Sequence, residues 1–380
     1  MNKAKGRKTE ICFTIHRVVY CAIGFLISAV FVEGINAVPF GKSINSYMVA
    51  TVAGSGIKGF LDGVREKAQF SWPTGVVVDN KGNIYVADFA NNLIRRIDSK
   101  GAVATFAGSG HAAFADGKGR MAHFKGPDNI AIDKDGNIYV ADADNFRIRK
   151  ITPDGTITTI AGSGVKGYQD GDGKSARFAY PTGVAVDSEN NVYVADRGSH
   201  SIRKIMPDGK VVTIAGNGYP AYLDGQGVKT HFHDPISLAL DQTGNIYVSD
   251  SGNHAIRKIT PDGVVSTLSG NGRHGYKDGV GKGAFFSWPT GIAIDGAGNI
   301  YLCDSQNNRI RRITPDGVVS TVAGISIPGF ADGPGYNARF SFPTGIEVDK
   351  AGNIYVADSG NNRIRKISQG GILQAQLLLP

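Results

Sequence analysis

The amino-acid sequence predicts an all-β fold made of six similar antiparallel sheets, and three observations lead to that prediction. Each repeat of 54 residues contains four short runs rich in Val, Ile, Tyr and Thr, the residues that strands prefer. No run of useful length has the periodicity of an amphipathic helix. The repeat is marked by Asn-Ile-Tyr-Val-Ala-Asp or a close variant, which begins at Asn83, Asn137, Asn191, Asn245, Asn299 and Asn353.

The third repeat shows the four runs in order, at residues 183–187, 192–196, 201–205 and 211–216. In most repeats Asp-x-x-Gly-Asn joins the first two runs. Thr-Pro-Asp-Gly, as at 152–155, joins the last two and suits a type I turn. Four antiparallel strands per unit, repeated around a ring, are the blades of a propeller with a central channel. The sequence therefore predicts a six-bladed β-propeller of four-stranded antiparallel blades.

Three segments carry a resemblance to a known family. Pro-Thr-Gly-Val-Ala-Val-Asp at 181–187, Gly-Asn-Ile-Tyr-Val-Ala-Asp at 136–142 and Asn-Asn-Arg-Ile-Arg-Lys-Ile at 361–367 closely resemble the NHL repeat. The resemblance covers about 51–370 and is to bacterial-type, exported NHL propellers. The repeat here is longer than that family's usual repeat, and the excess lies in the connection between blades, such as 162–180.

The two ends of the chain predict how the ring closes and where the chain is directed. Residues 48–54 read as a fourth strand with no first three, so this N-terminal strand is expected to complete blade six. The basic start and the apolar run at 18–32 resemble a signal peptide that is cleaved after Ala37. The predicted organisation is a signal peptide at 1–37, a linker at 38–46, the propeller at 47–370 and a C-terminal tail at 371–380.

The charge and the cysteine content of the chain limit the classes of partner and the cellular locations that the sequence predicts. The formal net charge is +8, but much of the basic count occupies one repeated strand position, which argues against nucleic acid as a partner. Cys303 is the one cysteine beyond the signal and replaces an alanine of the repeat, which predicts a small buried side chain. The chain is expected to be an exported monomer, periplasmic or secreted, with membrane contact only through an uncleaved signal.

Several residue types recur in every repeat and are interpreted as structural. An Asp at the end of the second strand is expected to pair with an Arg in the third, as Asp88 with Arg95. The long connection contributes a Phe, such as Phe70, and an Asp, such as Asp62, expected to close a turn through its own side chain. One carboxylate per connection is too few for a calcium site.

Function is therefore sought where the sixfold pattern fails. Four blades open their first strand with an aromatic residue followed by Pro-Thr-Gly, whereas blades two and four do not. Strand direction places these irregular positions on the long-loop face, in one arc around the channel mouth. The candidate ligand-binding residues of this arc are Lys125, Asp128, Asn129, Arg197, His200, His233, Asp234, Ser237 and His254.

The choice between an enzyme and a binding protein follows from the same positions. In the peptide-amidating lyase that these repeats resemble, zinc histidines directly follow the Pro of the first strand. The matching residues here are Thr74, Asp128, Thr182, Ile236, Thr290 and Thr344, and none is His.

No catalytic residue, cofactor or metal is predicted. A zinc site at His200, His233 and His254 is the metal alternative that stays open. The sequence favours an exported, non-catalytic binding or scaffold protein that holds a protein, peptide or glycan on its long-loop face. The alternative function is a lyase or hydrolase with its active site at the channel mouth.

Overall fold

A computed structural model describes residues 47–370 and confirms the six-bladed β-propeller. Within that range, thirty strands form six antiparallel sheets. The predicted signal peptide, the linker up to residue 46 and the tail at 371–380 lie outside the described residues. No helix among residues 47–370 has the length and apolar character needed to cross a membrane.

The inner two strands of each blade carry the most regular part of the repeat. The first strand begins at a proline and lines the channel: β3 (Pro73–Val78), β8 (Pro127–Ile132), β13 (Pro181–Val186), β18 (Pro235–Leu240), β23 (Pro289–Ile294) and β28 (Pro343–Val348). The second strand ends at the repeated aspartate: β4 (Ile84–Asp88), β9 (Ile138–Asp142), β14 (Val192–Asp196), β19 (Ile246–Asp250), β24 (Ile300–Asp304) and β29 (Ile354–Asp358).

The outer strands complete each sheet. The third strand contains the repeated arginine: β5 (Leu93–Ile97), β10 (Arg147–Ile151), β15 (Ser201–Ile205), β20 (Ala255–Ile259), β25 (Arg309–Ile313) and β30 (Arg363–Gln369). The fourth is β6 (Ala102–Ala107), β11 (Thr156–Ala161), β16 (Lys210–Ala215), β21 (Val264–Gly270), β26 (Val318–Ala323) and, in blade six, β1 (Tyr47–Ala53).

The predicted number of four strands per blade is wrong, because the sheets have five strands. The fifth is a two-residue strand of the long connection that pairs with the fourth: β2 (Gly63–Val64), β7 (Gly117–Lys118), β12 (Gly171–Asp172), β17 (Gly225–Gln226), β22 (Gly279–Val280) and β27 (Gly333–Pro334). Two residues that begin with Gly have neither the alternation nor the β-branched content by which a strand is recognised in a sequence.

Short 3-10 turns join the second and third strands on the long-loop face. They span Phe89–Asn91, Ala143–Asn145, Arg197–Ser199, Ser251–Asn253, Ser305–Asn307 and Ser359–Asn361. Three more lie in the long connections, at Gly119–Met121, Gly227–Lys229 and Gly281–Gly283. The residue after each turn of the first group is left-handed, as at Asn92 with φ of 55°, a conformation that Asn tolerates better than most residues.

The N-terminal strand lies in the sixth sheet. β1 pairs antiparallel with β30, from Tyr47 opposite Gln369 inwards, and the side chains of Tyr47 and Val49 are buried. The sixth blade also contacts the first, because the hydroxyl of Ser359 donates to the carbonyl of Pro73 at 2.6 Å. How much this strand contributes to the stability of the ring stays a prediction.

A buried arginine organises every blade, as the columns of the sequence predict. The guanidinium of Arg95 is fully buried and bonds to Asp88 at 2.8 Å and to Asp62 at 2.7 Å. Burial raises the pKa of Asp88 to about 6, although its hydrogen bonds from Asn91 and Arg95 lower it. The expected role of Asp62 is corrected, because its carboxylate binds Arg95 and Thr105 and does not close its own turn.

The repeated Phe and the single cysteine belong to the core. The Phe of each long connection, such as Phe70, has no exposed surface, and Cys303 is fully buried as well. Burial raises the pKa of the Cys303 thiol well above its usual value. The thiol is therefore a packing group, as predicted from its place in an alanine column.

Candidate functional site

The channel mouth on the long-loop face is a cavity of about 230 Å³ that has two different walls. One wall, the aromatic wall, comes from blades five, six and one and consists of Trp72, Phe89, Trp288 and Phe342. The other, the polar wall, comes from blades two and three and consists of Asp128, Asn129, Tyr180 and Arg197. Because the first strands of all blades begin at the same end, residues far apart in sequence meet here.

The aromatic wall is held by an unusual backbone. Trp72, Trp288 and Phe342 directly precede the first-strand prolines and have φ of 53°, 55° and 48°, in the left-handed region. A bulky residue costs about 1–3 kcal/mol in such a conformation, and this kind of strain clusters at functional sites. The rings of Trp72 and Phe342 are 5.8 Å apart and tilted by 32°. Trp72 keeps 40% of its surface exposed.

A chain of threonine hydroxyls connects the blades around the mouth, and it is broken at two places. Thr290 donates to the carbonyl of Thr344 at 2.9 Å, and Thr344 donates to that of Thr74 at 3.2 Å. The same bond runs from Thr74 to the Asp128 carbonyl at 2.6 Å and from Thr182 to the Ile236 carbonyl at 2.8 Å.

Asp128 and Ile236 have no hydroxyl with which to continue this chain of bonds. Within residues 47–370, no side chain donates to the carbonyls of Thr182 and Thr290, the next positions around the ring. One break is at blade two, within the polar wall, and the other is at blade four, next to that wall. Among the described residues, these two carbonyls therefore lack the bond between blades that the other positions form.

Two acidic groups of the mouth, the carboxyl of Asp128 and the phenol of Tyr180, have raised pKa values. Burial raises the pKa of Asp128 to about 7, while the charge of Arg197 and a hydrogen bond from Thr74 lower it and Asp144 raises it. Burial also raises the pKa of the Tyr180 phenol, with Asp128 and Asp144 adding to the effect. Near neutral pH the carboxyl of Asp128 can therefore either donate or accept a hydrogen bond.

Arg197 links the two walls. Its guanidinium lies 3.5 Å from a carboxylate oxygen of Asp234, and it stands over the ring of Trp288 at 5.8 Å from the centroid. Asp234 has the same left-handed backbone as Trp72, with φ of 51°. Blade four thus places a carboxylate where four other blades place an aromatic ring, and Arg197 is held between that carboxylate and the aromatic wall.

The candidate histidines have a structural role that the sequence did not indicate. Nδ1 of His200 accepts the backbone N–H of Asp234 at 3.2 Å, and Nδ1 of His254 accepts that of Trp288 at 3.2 Å. Each of these bonds connects one blade to the next, and we call such a contact a blade joint. In the joint between blades six and one an asparagine has the same role, as Asn362 Oδ1 accepts the N–H of Trp72 at 2.9 Å. Each ring must be neutral at Nδ1 to accept, and burial lowers the pKa of both histidines.

The structure does not gather the three candidate histidines into a metal site. The rings of His200 and His233 have centroids 5.9 Å apart, and His254 is bonded in the next joint. Among the described residues, no three His, Cys, Asp or Glu side chains are arranged to hold a metal ion.

The other sequence candidates divide between the mouth and its surroundings. Asp128, Asn129 and Arg197 line the mouth cavity. Ser237 lies deeper, where its hydroxyl accepts a hydrogen bond from Asn129 at 3.2 Å. Lys125 is exposed, and its backbone N–H donates to Asp142 at 2.8 Å.

Besides the aromatic residues that precede the first-strand prolines, two residues in or beside the mouth escape prediction from the sequence. Phe89 of the aromatic wall occupies a column in which blades four to six have Ser251, Ser305 and Ser359. Asp144, which acts on Asp128 and Tyr180, stands where three blades have glycine. The same test of broken symmetry, applied one and two positions after the repeated aspartate, would have found both.

Below the mouth, a second cavity of about 220 Å³ lies between the six first strands. Its walls are mainly Val, Ala, Ile and Leu side chains, with Asn129, Ser237 and one acidic residue, Glu347, as the polar members. Asn129 lines both cavities, so the two are adjacent along the channel.

Comparisons with known proteins place the chain among repeat propellers. The model of the NHL repeat matches residues 70–97, 124–151, 178–205, 232–259, 286–313 and 340–367. The protein SUPPRESSOR OF QUENCHING 1, chloroplastic, of Arabidopsis thaliana is 33% identical over 278 residues, which is 68% of this chain and 26% of that protein. The chain thus spans about a quarter of that curated relative.

Two solved structures are similar in fold. An auxiliary nutrient binding protein of Bacteroides thetaiotaomicron has a TM-score of 0.66 at 19% identity, covering 86% of this chain and 77% of its own. A streptogramin B lyase has a TM-score of 0.52 at 15% identity, covering 87% of this chain and 100% of its own. At these identities the likeness extends to the fold alone.

Proposed function

Because the chain is an NHL-repeat protein with six repeats arranged as a six-bladed β-propeller, we propose that it is a non-catalytic binding protein. Its partner, a peptide, a glycan or a protein that presents one, docks on the long-loop face and inserts a group into the channel mouth. The observation that carries this proposal is that aromatic rings and polar side chains line one cavity of about 230 Å³.

The two walls suit a ligand with one flat apolar face and one polar face. Indole and phenyl rings provide stacking area, whereas a few polar groups fix orientation and give specificity. Asp128, Asn129 and Arg197 offer a carboxyl, an amide and a guanidinium within one wall. Sugar rings and peptide side chains both have such paired faces. The fold similarity to an auxiliary nutrient binding protein is compatible with ligand capture by this architecture.

Export belongs to the same proposal. The basic start and the apolar segment at 18–32 resemble a cleaved signal peptide, and a propeller that captures a ligand outside the cytoplasm would need one. Mass spectrometry of the protein after export checks this: we expect a mature chain that begins at Val38. A membrane-bound product that retains Met1 would contradict it.

One observation favours a second function, catalysis at the same mouth. A carboxyl whose pKa is about 7, as that of Asp128, is matched to general acid–base work near neutral pH. The streptogramin B lyase shares the fold. A lyase or hydrolase would use Asp128 for proton transfer, whereas a binding protein would return its ligand unchanged.

The test uses the repeat itself as a source of variants. Asp128→Thr with Asn129→Gly installs the Thr-Gly of four other blades and supplies a hydroxyl toward the carbonyl of Thr182, so the fold is expected to keep its melting temperature. On glycan and peptide arrays, this variant should lose capture of the ligands that the parent binds. Trp288→Ala should weaken binding by about fivefold or more, since a stacked base or ring is worth about 1–3 kcal/mol.

The matched control is Asn80→Ala, which changes the opposite, tight-turn face and should bind as the parent does. Equal capture by the parent and the Thr-Gly variant would remove the mouth as the site. If the parent converts a captured ligand to a product and Asp128→Asn does not, the catalytic alternative is established instead.

A further inference from the structure

Glu347 is an ionisable residue in an otherwise uncharged channel. It lies in β28, at the position occupied by Val77, Ala131, Ala185, Ala239 and Ala293 in the other blades. The cavity of about 220 Å³ between the first strands is lined by apolar side chains, by Asn129 and Ser237, and by Glu347. Five blades therefore show that a small apolar residue satisfies the packing at this position.

No cationic side chain of the described chain lines the cavity with Glu347. On one neighbouring strand, β23, it faces Ile292 and Ala293, and on the other, β3, it faces Val76 and Val77. The backbone N–H of Val348 stabilises its charge, and Asp349 opposes it. Glu347 is half-buried, and this burial raises its pKa to about 8, because a carboxylate with few water neighbours and no cationic partner is costly.

We propose that the channel is a binding site for a primary ammonium group, with Glu347 as its counter-ion. The ammonium is carried on an alkyl stem that enters through the mouth, as a lysine side chain of a peptide or an amine of a glycan would. This inference rests on the proposed function, because it assigns the chemical class of the group that the mouth admits.

The geometry along β28 fits a stem of several carbons. Glu347 is three residues beyond Thr344, which lines the mouth, and a strand rises about 3.3 Å per residue, so the two levels are roughly 10 Å apart. The Val, Ala, Ile and Leu side chains between them favour a hydrocarbon. The aromatic wall above favours the passage of a cation, because ring faces attract ammonium groups.

A metal ion fits the same walls poorly. Calcium takes six to eight oxygen ligands, whereas the side-chain oxygens that line the channel come from Glu347, Asn129 and Ser237 alone. The amide of Asn129 is already engaged, because its oxygen accepts the N–H of Ile130 at 2.7 Å and its nitrogen donates to Ser237. An ammonium group needs fewer ligands, and its stem gains from apolar walls.

Binding of an ammonium should depend on pH in a defined direction. In the empty channel Glu347 holds a proton below about pH 8, and an ammonium can pair with the carboxyl only after that proton is released. The affinity should therefore rise by about tenfold per pH unit from pH 6 to 8 and level off above pH 8.

The probe is n-hexylamine, titrated calorimetrically into the whole protein at pH 6.0, 7.0 and 8.5, with 1-hexanol as the uncharged control. Glu347→Ala installs the residue of four other blades, and Glu347→Gln keeps the shape without the charge. Both should weaken binding of hexylamine by at least about tenfold and abolish its pH dependence. Equal affinity in Glu347→Ala, equal affinity for hexanol, or no hexylamine binding at pH 8.5 would overturn the proposal.

Failure of this inference is distinguishable from failure of the proposed function. If the parent captures array ligands that carry no amine and the Asp128→Thr, Asn129→Gly variant does not capture them, that result would overturn the ammonium site and leave the binding function. Hexylamine binding through Glu347 without any captured peptide or glycan would support the site and overturn the proposed class of partner. Displacement of hexylamine by millimolar potassium would assign the site to inorganic cations and overturn it as well.

Discussion

Blades two to four and blades five, six and one share one scaffold but differ at the channel mouth. The buried arginine of blade two bonds to its two aspartates at 2.7 Å and 2.7 Å, and that of blade six at 2.7 Å and 2.6 Å. At the mouth, the second group keeps an unbroken chain of threonine bonds from Thr290 to Thr74, whereas the first has Asp128 and Ile236 in that chain. The blade thus stabilises itself far from the channel, which frees its innermost residues to vary.

The largest expected effect comes from removing the N-terminal strand, which belongs to the regular half. A chain that begins at Gly54 loses β1, including the buried side chains of Tyr47 and Val49 and the pairing with β30. We expect the free energy of unfolding to fall by roughly 6–8 kcal/mol, from two buried side chains and several backbone hydrogen bonds. Chemical denaturation measures it, and limited proteolysis should cut blade six before blades two to four.

A truncated protein as stable as the parent would contradict this prediction. In that case the tail at 371–380, which lies outside the described residues, would supply the missing strand, or blade six would not need one. Truncation at residue 46, which keeps β1, is the matched control and should leave the stability unchanged.

The next effect compares one buried arginine from each half. Arg257 of blade four bonds to Asp250 at 2.6 Å and Asp224 at 2.7 Å, and Arg311 of blade five bonds to Asp304 at 2.5 Å and Asp278 at 2.7 Å. Replacing either by Met should lower the free energy of unfolding by about 3–5 kcal/mol, because a buried carboxylate is left unpaired.

Urea denaturation measures the loss in free energy of unfolding for each variant, and the informative result is whether the two losses are equal. If both halves use the same scaffold, Arg257→Met and Arg311→Met should agree within about 1 kcal/mol. A much smaller loss at Arg257 would show that the irregular half has weakened its blades as well as its mouth.

The smallest expected effect concerns the two blade joints that contain a histidine in place of an asparagine. His200 and His254 accept backbone N–H groups only when neutral, and burial lowers the pKa of both. A lowered pKa means that the unfolded chain binds protons more readily, so this stability is complete above about pH 6.5 and is lost as the pH falls. His200→Asn with His254→Asn installs the asparagine of three other blades and should remove about 1 kcal/mol of acid sensitivity.

Thermal unfolding of parent and variant at pH 7.5 and pH 5.0 measures this difference, since other acid-sensitive groups are common to both. The double variant should melt close to the parent at pH 7.5 and above it at pH 5.0. An equal drop in melting temperature for both proteins would mean that the two histidines do not titrate in the joint.

The repeat made most of the scaffold predictable and only part of the site. A column such as Asp88 with Arg95 recurs in every blade, so its pairing followed from adjacent antiparallel strands. The two-residue strands, such as β2, were missed because their pairing comes from the chain path and not from β-forming residues. The mouth was predicted as an arc, from Asp128 and Arg197.

The aromatic wall was not predicted, for a physical reason. Trp72 and Phe342 follow the regular pattern of the repeat, and only the closed ring brings them to the same cavity as Asp128. Similarly, His200 looked like a possible ligand because a sequence does not show which backbone N–H a side chain will accept. Contacts between blades depend on the curvature of the ring, which no single repeat contains.

The pairing of β1 with β30 has a mechanical consequence. Tyr47, where the described chain begins, lies opposite Gln369, near its end, so both ends of the propeller leave from one corner of one sheet. Tension applied to the two ends would pull these strands apart one hydrogen bond at a time, as in the opening of a zipper, instead of loading all the bonds together. Tethering at both ends would therefore make blade six the first part to yield under force, while attachment by one end would leave the ring unloaded.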